Sequence, residues 1–181
     1  EKGIEVLYLT DGVDELVVES LPEYQEKKLK SVGKGTVDLG TAEEKEEKKK
    51  ELEEKTKTYQ GLLDRIQKSL DDRIKEVRLS TRLTASPACL VGAEHDFSPR
   101  LEQLLKRDTD RPSQRRILEL NPDHEIVKRL EELVEKDPEN ERVAESAELL
   151  YGYAVLAEGS ELPDPAAFAR RIADLMSRGL A

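Results

Sequence analysis

Side chains able to perform acid–base, nucleophilic or metal chemistry are scarce in this sequence. Its 181 residues hold two histidines, His95 and His124, and a single cysteine, Cys89. His124 follows Asp123, a pairing that occurs in catalytic and metal sites, but no second His or Cys lies at a ligand spacing from it. The surrounding stretch LELNPDHEIVKRL joins an aliphatic run to a helical pattern. We therefore interpret this stretch as a strand-to-helix junction, in which Pro122 fits the first helical position and His124 has a structural hydrogen-bonding role.

Cys89 and His95 could pair as a nucleophile and a base, because they lie six positions apart. No third residue of a known catalytic signature accompanies them, and the apolar context PACLVG predicts a buried thiol. The sequence also lacks a Gly-rich phosphate loop, a Walker lysine and a zinc-ligand spacing. The residues themselves therefore indicate a binding or assembly module with no catalytic, cofactor-binding or metal residue. A small enzyme that uses Cys89 with His95 or His124 is the alternative.

The charge balance argues against several classes of partner. Charged residues make up 39% of the chain and its net charge is -10, so the surface is expected to repel nucleic acid and anionic membranes. No apolar run approaches the ~20 residues that span a bilayer. One cysteine excludes an internal disulfide, which is compatible with a reducing compartment, and a cytoplasmic location is expected.

Residues 1–40 predict the end of an α/β domain. The β-branched run Ile4–Leu9 predicts a strand, a helical spacing follows Asp11-Gly12, and Leu29 with Val32 predicts a second strand. Strand, helix and strand in this order indicate a right-handed βαβ crossover. Because the chain enters an apolar stretch within four residues of Glu1, we expect it to be part of a longer protein.

A long helix is predicted from the capping-box pattern Thr41-Ala-Glu-Glu44 to about Leu70. Its first half carries favourable Glu/Lys pairs four residues apart and needs no core. Its second half carries an apolar stripe that predicts docking on a sheet. The stripe consists of Tyr59, Leu62, Leu63, Ile66 and Leu70. A coiled-coil scaffold built on this helix is a second alternative, but a heptad seam is missing, since Leu52 is the only large aliphatic residue before Tyr59.

Three short strands follow. Val77, Leu79 and Thr81 alternate with polar residues, and ACLVG after the turn TASP predicts a hairpin with them. ILELN is the third strand. Between the second and third strands, Ser98-Pro99 predicts the start of a short helix. Its apolar stripe would consist of Phe97, Leu101, Leu104 and Leu105.

The chain ends with paired amphipathic helices, predicted at about 139–158 and 165–178, after a shorter helix that ends at Asp137-Pro138. Two helices alone cannot bury both of their apolar stripes. We therefore predict that two copies of the chain join these helices in an intermolecular four-helix bundle. The predicted interface residues are Leu149, Leu150, Tyr153, Leu156, Phe168, Ile172, Leu175 and Met176.

Four segments together resemble one family, the ninety-kilodalton heat-shock protein chaperones, and most closely its bacterial type. KGIEVLYLTDGVDELVVESLPEYQEKKLKSV resembles the end of that family's middle domain. RLTASPACLV resembles its carboxy-terminal hairpin, and LELNPDHEIVKRL resembles its strand-to-helix junction. DPAAFARRIADLMSRGL resembles its dimerisation helix. Gln25-Glu26 departs from the family pattern, since an Asp-Gly turn is usual there.

The resemblance implies an α+β fold in which residues 1–40 end the middle domain and residues 41–181 form the carboxy-terminal dimerisation domain. Its small three-stranded sheet would carry packed helices, and the βαβ unit would precede it. The implied partners are a second copy and unfolded client proteins, with Phe97, Leu101, Leu104 and Leu105 in client contact. The family's ATP and magnesium would belong to the full-length protein only. No tetratricopeptide partner is implied, because the acidic Met-Glu-Glu-Val-Asp tail of eukaryotic members is missing.

Overall fold

A computed structural model of the chain describes residues 5–21, 23–35, 42–93, 96, 98, 101–102 and 114–180. Helices and short strands alternate through these ranges, so the predicted α+β class is confirmed. The elements before residue 80 are α1 (Gly12–Ser20), β1 (Glu23–Tyr24), β2 (Lys27–Lys28), α2 (Ala42–Leu70) and β3 (Ile74–Leu79). Those after it are β4 (Ala88–Val91), β5 (Arg116–Leu120), α3 (Glu125–Lys136), α4 (Glu141–Ala157) and α5 (Pro165–Leu180).

The central sheet has three strands in the order β3-β5-β4, parallel between β3 and β5 and antiparallel between β5 and β4. The predicted hairpin between β3 and β4 is wrong, because β5 lies between them. All five residues of β5 are buried. Because β5 is the central strand, both of its edges form backbone hydrogen bonds with a neighbouring strand. A local turn pattern could not reveal this insertion, since β5 follows β4 by more than twenty residues.

One face of the sheet carries the hydrophobic core. The second half of α2 contributes Leu62, Leu63, Ile66 and Leu70, all 5% exposed or less, as its stripe predicted. Leu118 and Leu120 of β5 are fully buried in the same cluster. α3 and α4 complete it, chiefly through residues at helical spacing. These are Val127, Leu130, Val134, Val143, Ala147, Leu150 and Ala154.

The first half of α2 extends into solvent with its charges paired along the helix. Lys50 lies 3.3 Å from Glu46, and Lys55 lies 3.0 Å from Glu51, both at the predicted four-residue spacing. Each such exposed pair stabilises a helix by ~0.2–0.5 kcal/mol. Propensity and charge patterning therefore support this half of the helix without a core.

The βαβ unit predicted in residues 1–40 is wrong within the described residues. α1 is present, but residues 5–10 and 29–32 form no strand, and β1 pairs with β2 in an antiparallel hairpin instead. A strand needs a neighbour to bond its N–H and C=O groups, and no described strand lies beside residues 5–10. The hairpin turn is made by Gln25 (φ 48°) and Glu26 (φ 62°), both in the left-handed region that Asp-Gly or Asn-Gly adopts at lower cost.

The three C-terminal helices begin and end close to their predicted residues. Asn140 caps α4 by accepting a hydrogen bond from the Arg142 N–H at 3.0 Å, and Gly159 ends it at φ 82°. Asp164 precedes α5 and accepts the Ala167 N–H at 2.8 Å. Among the described residues, no helix combines the length and apolar character needed to cross a membrane.

Candidate functional site

α5 packs on α4 at one close approach. Gly152 of α4 is buried under the ring of Phe168, and a Cβ placed on Gly152 would lie 2.4 Å from the Phe168 Cε2 atom. Only a glycine lets the ring come this near to the helix backbone. Phe168 is half-buried, and no side chain of α5 is fully buried. α5 therefore lies on the outside of α4 with most of its apolar stripe uncovered.

The apolar surface that α4 and α5 share contains most of the predicted interface residues. Five of them are between 36% and 62% exposed: Tyr153, Leu156, Ile172, Leu175 and Met176. Leu149 and Phe168 are half-buried, whereas Leu150 is 5% exposed and packs inside the core of its own chain. Leu150 therefore does not reach this surface. The residue set that we name the α4–α5 stripe consists of the five exposed side chains, and its role as an interface stays a prediction.

Ion pairs fasten α5 to α4 beside the stripe. Arg178 donates to Glu145 at 2.8 Å, and Arg171 lies 3.6 Å from Glu148. Glu148 also accepts a hydrogen bond at 2.8 Å from Arg73, which precedes β3. The hydrogen bond from Arg178 lowers the pKa of Glu145 below its ordinary value. The two helices are thus held by charge as well as by the Phe168 contact.

Sequence reasoning missed these ion pairs, although a signal for them exists. Glu145 and Glu148 are three residues apart, so the two glutamates occupy one face of α4. Arg171 and Arg178 are seven residues apart, so the two arginines occupy one face of α5. The ion pairs between these faces lie beside a groove of about 410 Å³ between α4 and α5, whose apolar part includes Leu149. Its other lining residues are Arg142, Glu145, Ser146, Arg171, Asp174, Leu175, Arg178 and Gly179.

The second predicted surface, for client contact, is described only in part. Ser98 begins a helical turn as predicted, since its hydroxyl oxygen accepts the Leu101 N–H at 3.1 Å. Leu101 is 3% exposed, so its side chain is not available for contact with a client. The turn is tied to β5, because Arg116 donates to Glu102 at 2.8 Å. The remaining members, Phe97, Leu104 and Leu105, lie outside the described residues.

Two of the three residues that could support a Cys/His enzyme, Cys89 and His124, lie in the described part of the chain. Cys89 is half-buried on β4, where burial and the nearby Glu119 raise the pKa of its thiol to about 11. His124 caps α3, and its Nδ1 atom accepts the Ile126 N–H at 3.2 Å, as its structural interpretation predicted. α3 begins at Glu125, three residues after Pro122, so Pro122 does not occupy the predicted first helical position.

His95 lies outside the described residues. Within the described ranges, no three His, Cys, Asp or Glu side chains are grouped so that they could hold a metal ion.

Comparison with known proteins decides the family. The family model of the Hsp90 protein matches residues 1–181. The chain belongs to the Hsp90 family. It is 48% identical over 178 residues to the chaperone protein HtpG of Rhodococcus jostii (strain RHA1), and 49% identical over 177 residues to that of Geobacter sulfurreducens. The HtpG of Mycobacterium leprae is 46% identical over 183 residues.

These alignments cover 97–99% of this Hsp90-family chain but 27–28% of each relative. The chain thus spans little more than a quarter of the length of the curated relatives it matches. The resemblance to the bacterial type is confirmed.

Proposed function

We propose that this chain is the dimerisation portion of a cytoplasmic molecular chaperone, and that the α4–α5 stripe joins it to a second copy. The observation that carries the proposal is the exposure of five large apolar side chains on two helices that pack side by side. An exposed patch of this kind marks an interaction surface. Burying each such side chain stabilises an association by about 1.5–3 kcal/mol.

A four-helix bundle is the arrangement that suits this surface. Each copy supplies α4 and α5, so the same patch faces itself across a two-fold axis. The ion pair of Arg178 and Glu145, whose side chains are about half exposed, would lie at the rim, where charge contributes little to affinity. Membership of the Hsp90 family supports the same proposal, since its members that this chain matches are named chaperones.

The dimer is tested by Leu175→Glu, which places a charge in the stripe. Leu175 is 54% exposed in the single chain, so we expect the monomer to keep its fold while the dimer dissociation constant rises at least 100-fold. The matched control is Ile126→Glu, because Ile126 is 46% exposed on α3, away from the stripe. Sedimentation velocity reports the mass and urea unfolding reports the stability. An unchanged sedimentation coefficient for Leu175→Glu would refute the interface.

Residues 1–40 would be the end of a preceding domain, and 41–181 the dimerisation domain. The apolar side chains of residues 5–35 that are exposed to solvent support this division into domains. Val6, Leu7, Tyr8, Val13 and Val17 are all at least 55% exposed. Several large apolar side chains exposed within one short segment favour an interaction surface. The rest of the longer protein would cover it.

We also propose that Phe97, Leu104 and Leu105 contact unfolded clients, on the strength of the family resemblance. Nonspecific burial of apolar client segments would supply affinity without a sequence code. Leu105→Ser should then weaken the suppression of client aggregation and leave the melting temperature almost unchanged. Leu101→Ser is the contrasting variant, because the loss of a buried leucine should lower stability by ~2–5 kcal/mol. Full suppression by the Leu105 variant would contradict the client role.

A further inference from the structure

The sheet has a second face, opposite the hydrophobic core, and a buried carboxylate lies at its centre. Strand register places Arg78, Glu119 and Cys89 side by side across β3, β5 and β4. Glu119 is 2% exposed. Its carboxylate accepts hydrogen bonds from Arg78 at 2.7 and 3.1 Å, from Ser80 at 2.9 Å and from Arg82 at 3.1 Å. Two arginines therefore neutralise one buried acid.

Both arginines also donate hydrogen bonds to the backbone of residues 32–35. Arg82 Nη1 donates to the Val32 carbonyl at 2.7 Å, and Arg82 Nη2 donates to the Gly35 carbonyl. Arg78 Nη2 donates to the same Gly35 carbonyl at 3.3 Å. The planar fork of a guanidinium allows this two-sided contact, whereas a lysine ammonium has no second rigid edge. Glu119 thus fixes residues 32–35 through the arginines.

The same short segment forms a backbone bridge to the end of β4. The Gly35 N–H donates to the Gly92 carbonyl at 3.0 Å, and the Gly92 N–H donates to the Gly33 carbonyl at 3.1 Å. Lys34, between the two glycines, lies 2.9 Å from Glu15 of α1. Glu15 also accepts the Ser98 N–H at 3.0 Å. Residues 32–35 therefore connect α1 to the sheet.

The contacts described for this connection are polar. No described side chain among residues 5–35 is buried, in contrast to those of α2, α3 and α4, which contribute to one apolar core. The Lys34 and Glu15 side chains are 13% and 15% exposed, so their ion pair is largely shielded from solvent. Water can replace each of these polar contacts when the segment detaches, because both partners are then hydrated. The attachment of residues 5–35 is accordingly specific in geometry, and it can open without exposing an apolar core.

We propose that residues 32–35 form a polar latch in which Arg82 is the positioning residue, so that releasing the latch frees residues 5–35 from the sheet while the core stays folded. Glu119 serves as the buried anchor of Arg82. The latch is independent of the proposed dimer, because none of its residues belongs to the α4–α5 stripe. A movable joint at this point would let the segment before residue 36 change its direction relative to the sheet.

The test uses Arg82→Lys in the 181-residue chain, since lysine keeps a positive charge beside Glu119 but loses the two-sided contact. Amide hydrogen exchange is followed at Gly35 and Gly92, whose N–H groups form the bridge. We expect both to exchange at least tenfold faster, with the β5 amides unchanged. Arg129→Lys on α3 is the control, because that arginine pairs only locally with Glu125 and should alter neither reporter.

A second variant, Lys34→Gln, weakens the latch from the α1 side and leaves the partners of Glu119 intact. It should raise amide exchange at Gly35 and Gly92 at least threefold. If Arg82→Lys destabilises the whole chain, the result for Lys34→Gln tests the latch instead. The proposal is overturned if neither variant raises exchange at the bridge amides. It is equally overturned if both variants raise the β5 amides by the same factor, since that result describes global unfolding.

Discussion

At the residue scale, Cys89 shows how neighbours decide the chemistry of a side chain. Its strand position sets it opposite Glu119, and burial together with that carboxylate raises the thiol pKa to about 11. A raised pKa means that the proton stays on sulfur until the pH passes above it. At pH 8 the thiolate fraction falls from ~24% for a thiol of ordinary pKa, ~8.5, to ~0.1%, a decrease of more than 100-fold. The folded chain is therefore a poor candidate for cysteine nucleophilic catalysis.

The prediction at this scale is that native Cys89 reacts with a disulfide reagent at pH 8 about 100-fold more slowly than in the urea-unfolded chain. The reason is the low thiolate fraction, because the thiolate is the attacking species. Absorbance of the released thiol measures both rates. Equal native and unfolded rates would contradict the raised pKa of Cys89, and a faster native rate would show an activated thiol and favour the enzyme alternative.

Some residue-scale features were accessible from sequence and others were not. The junction at His124 was predictable, because capping depends on residues within one helical turn. The burial of Glu119 was not, since its partners Arg78 and Arg82 lie about forty positions earlier in the chain. A glutamate between apolar residues predicts a partly polar strand face. Only the sheet order reveals which arginines meet it.

At the element scale, the attachment of α5 depends on the missing side chain of Gly152. The Phe168 ring fills the space that a Cβ would occupy. Helical spacing predicted both helices and their apolar stripes, because that pattern is local. It could not predict the contact point, since nothing in either helix alone marks Gly152 as the facing residue. The predicted β3–β4 hairpin was wrong for the same reason, since a local pattern does not show which strands pair. β5, the most buried strand, pairs with both β3 and β4.

The element-scale prediction concerns Gly152→Ala. Alanine favours the helix by ~0.5–1 kcal/mol, but its Cβ would displace the Phe168 ring and shift α5 on α4. We expect the dimer dissociation constant to rise at least tenfold, measured by sedimentation velocity, with helix content kept. Gly179→Ala is the matched control, because a Cβ there meets no atom within 4 Å. Equal dimer affinity for the two variants would show that the Phe168 contact does not set the geometry of the stripe.

At the scale of the whole molecule, the described residues combine one apolar core with two surfaces that the single copy leaves uncovered. The core joins the sheet to α2, α3 and α4. The open surfaces are the α4–α5 stripe and the apolar side chains of residues 5–35. The spacing of apolar residues predicted the core helices and the α4–α5 stripe. This spacing identifies the apolar face of a helix, whether that face packs against its own chain or against another. It could not show that residues 5–35 attach through polar contacts.

Coverage of the α4–α5 stripe by a second copy requires that the unmodified chain associates in solution. Sedimentation equilibrium over ~1–100 μM measures this association. We expect a mass of twice 20.5 kDa, with dissociation in the micromolar range or below. A mass that stays at 20.5 kDa through the highest concentration would contradict it.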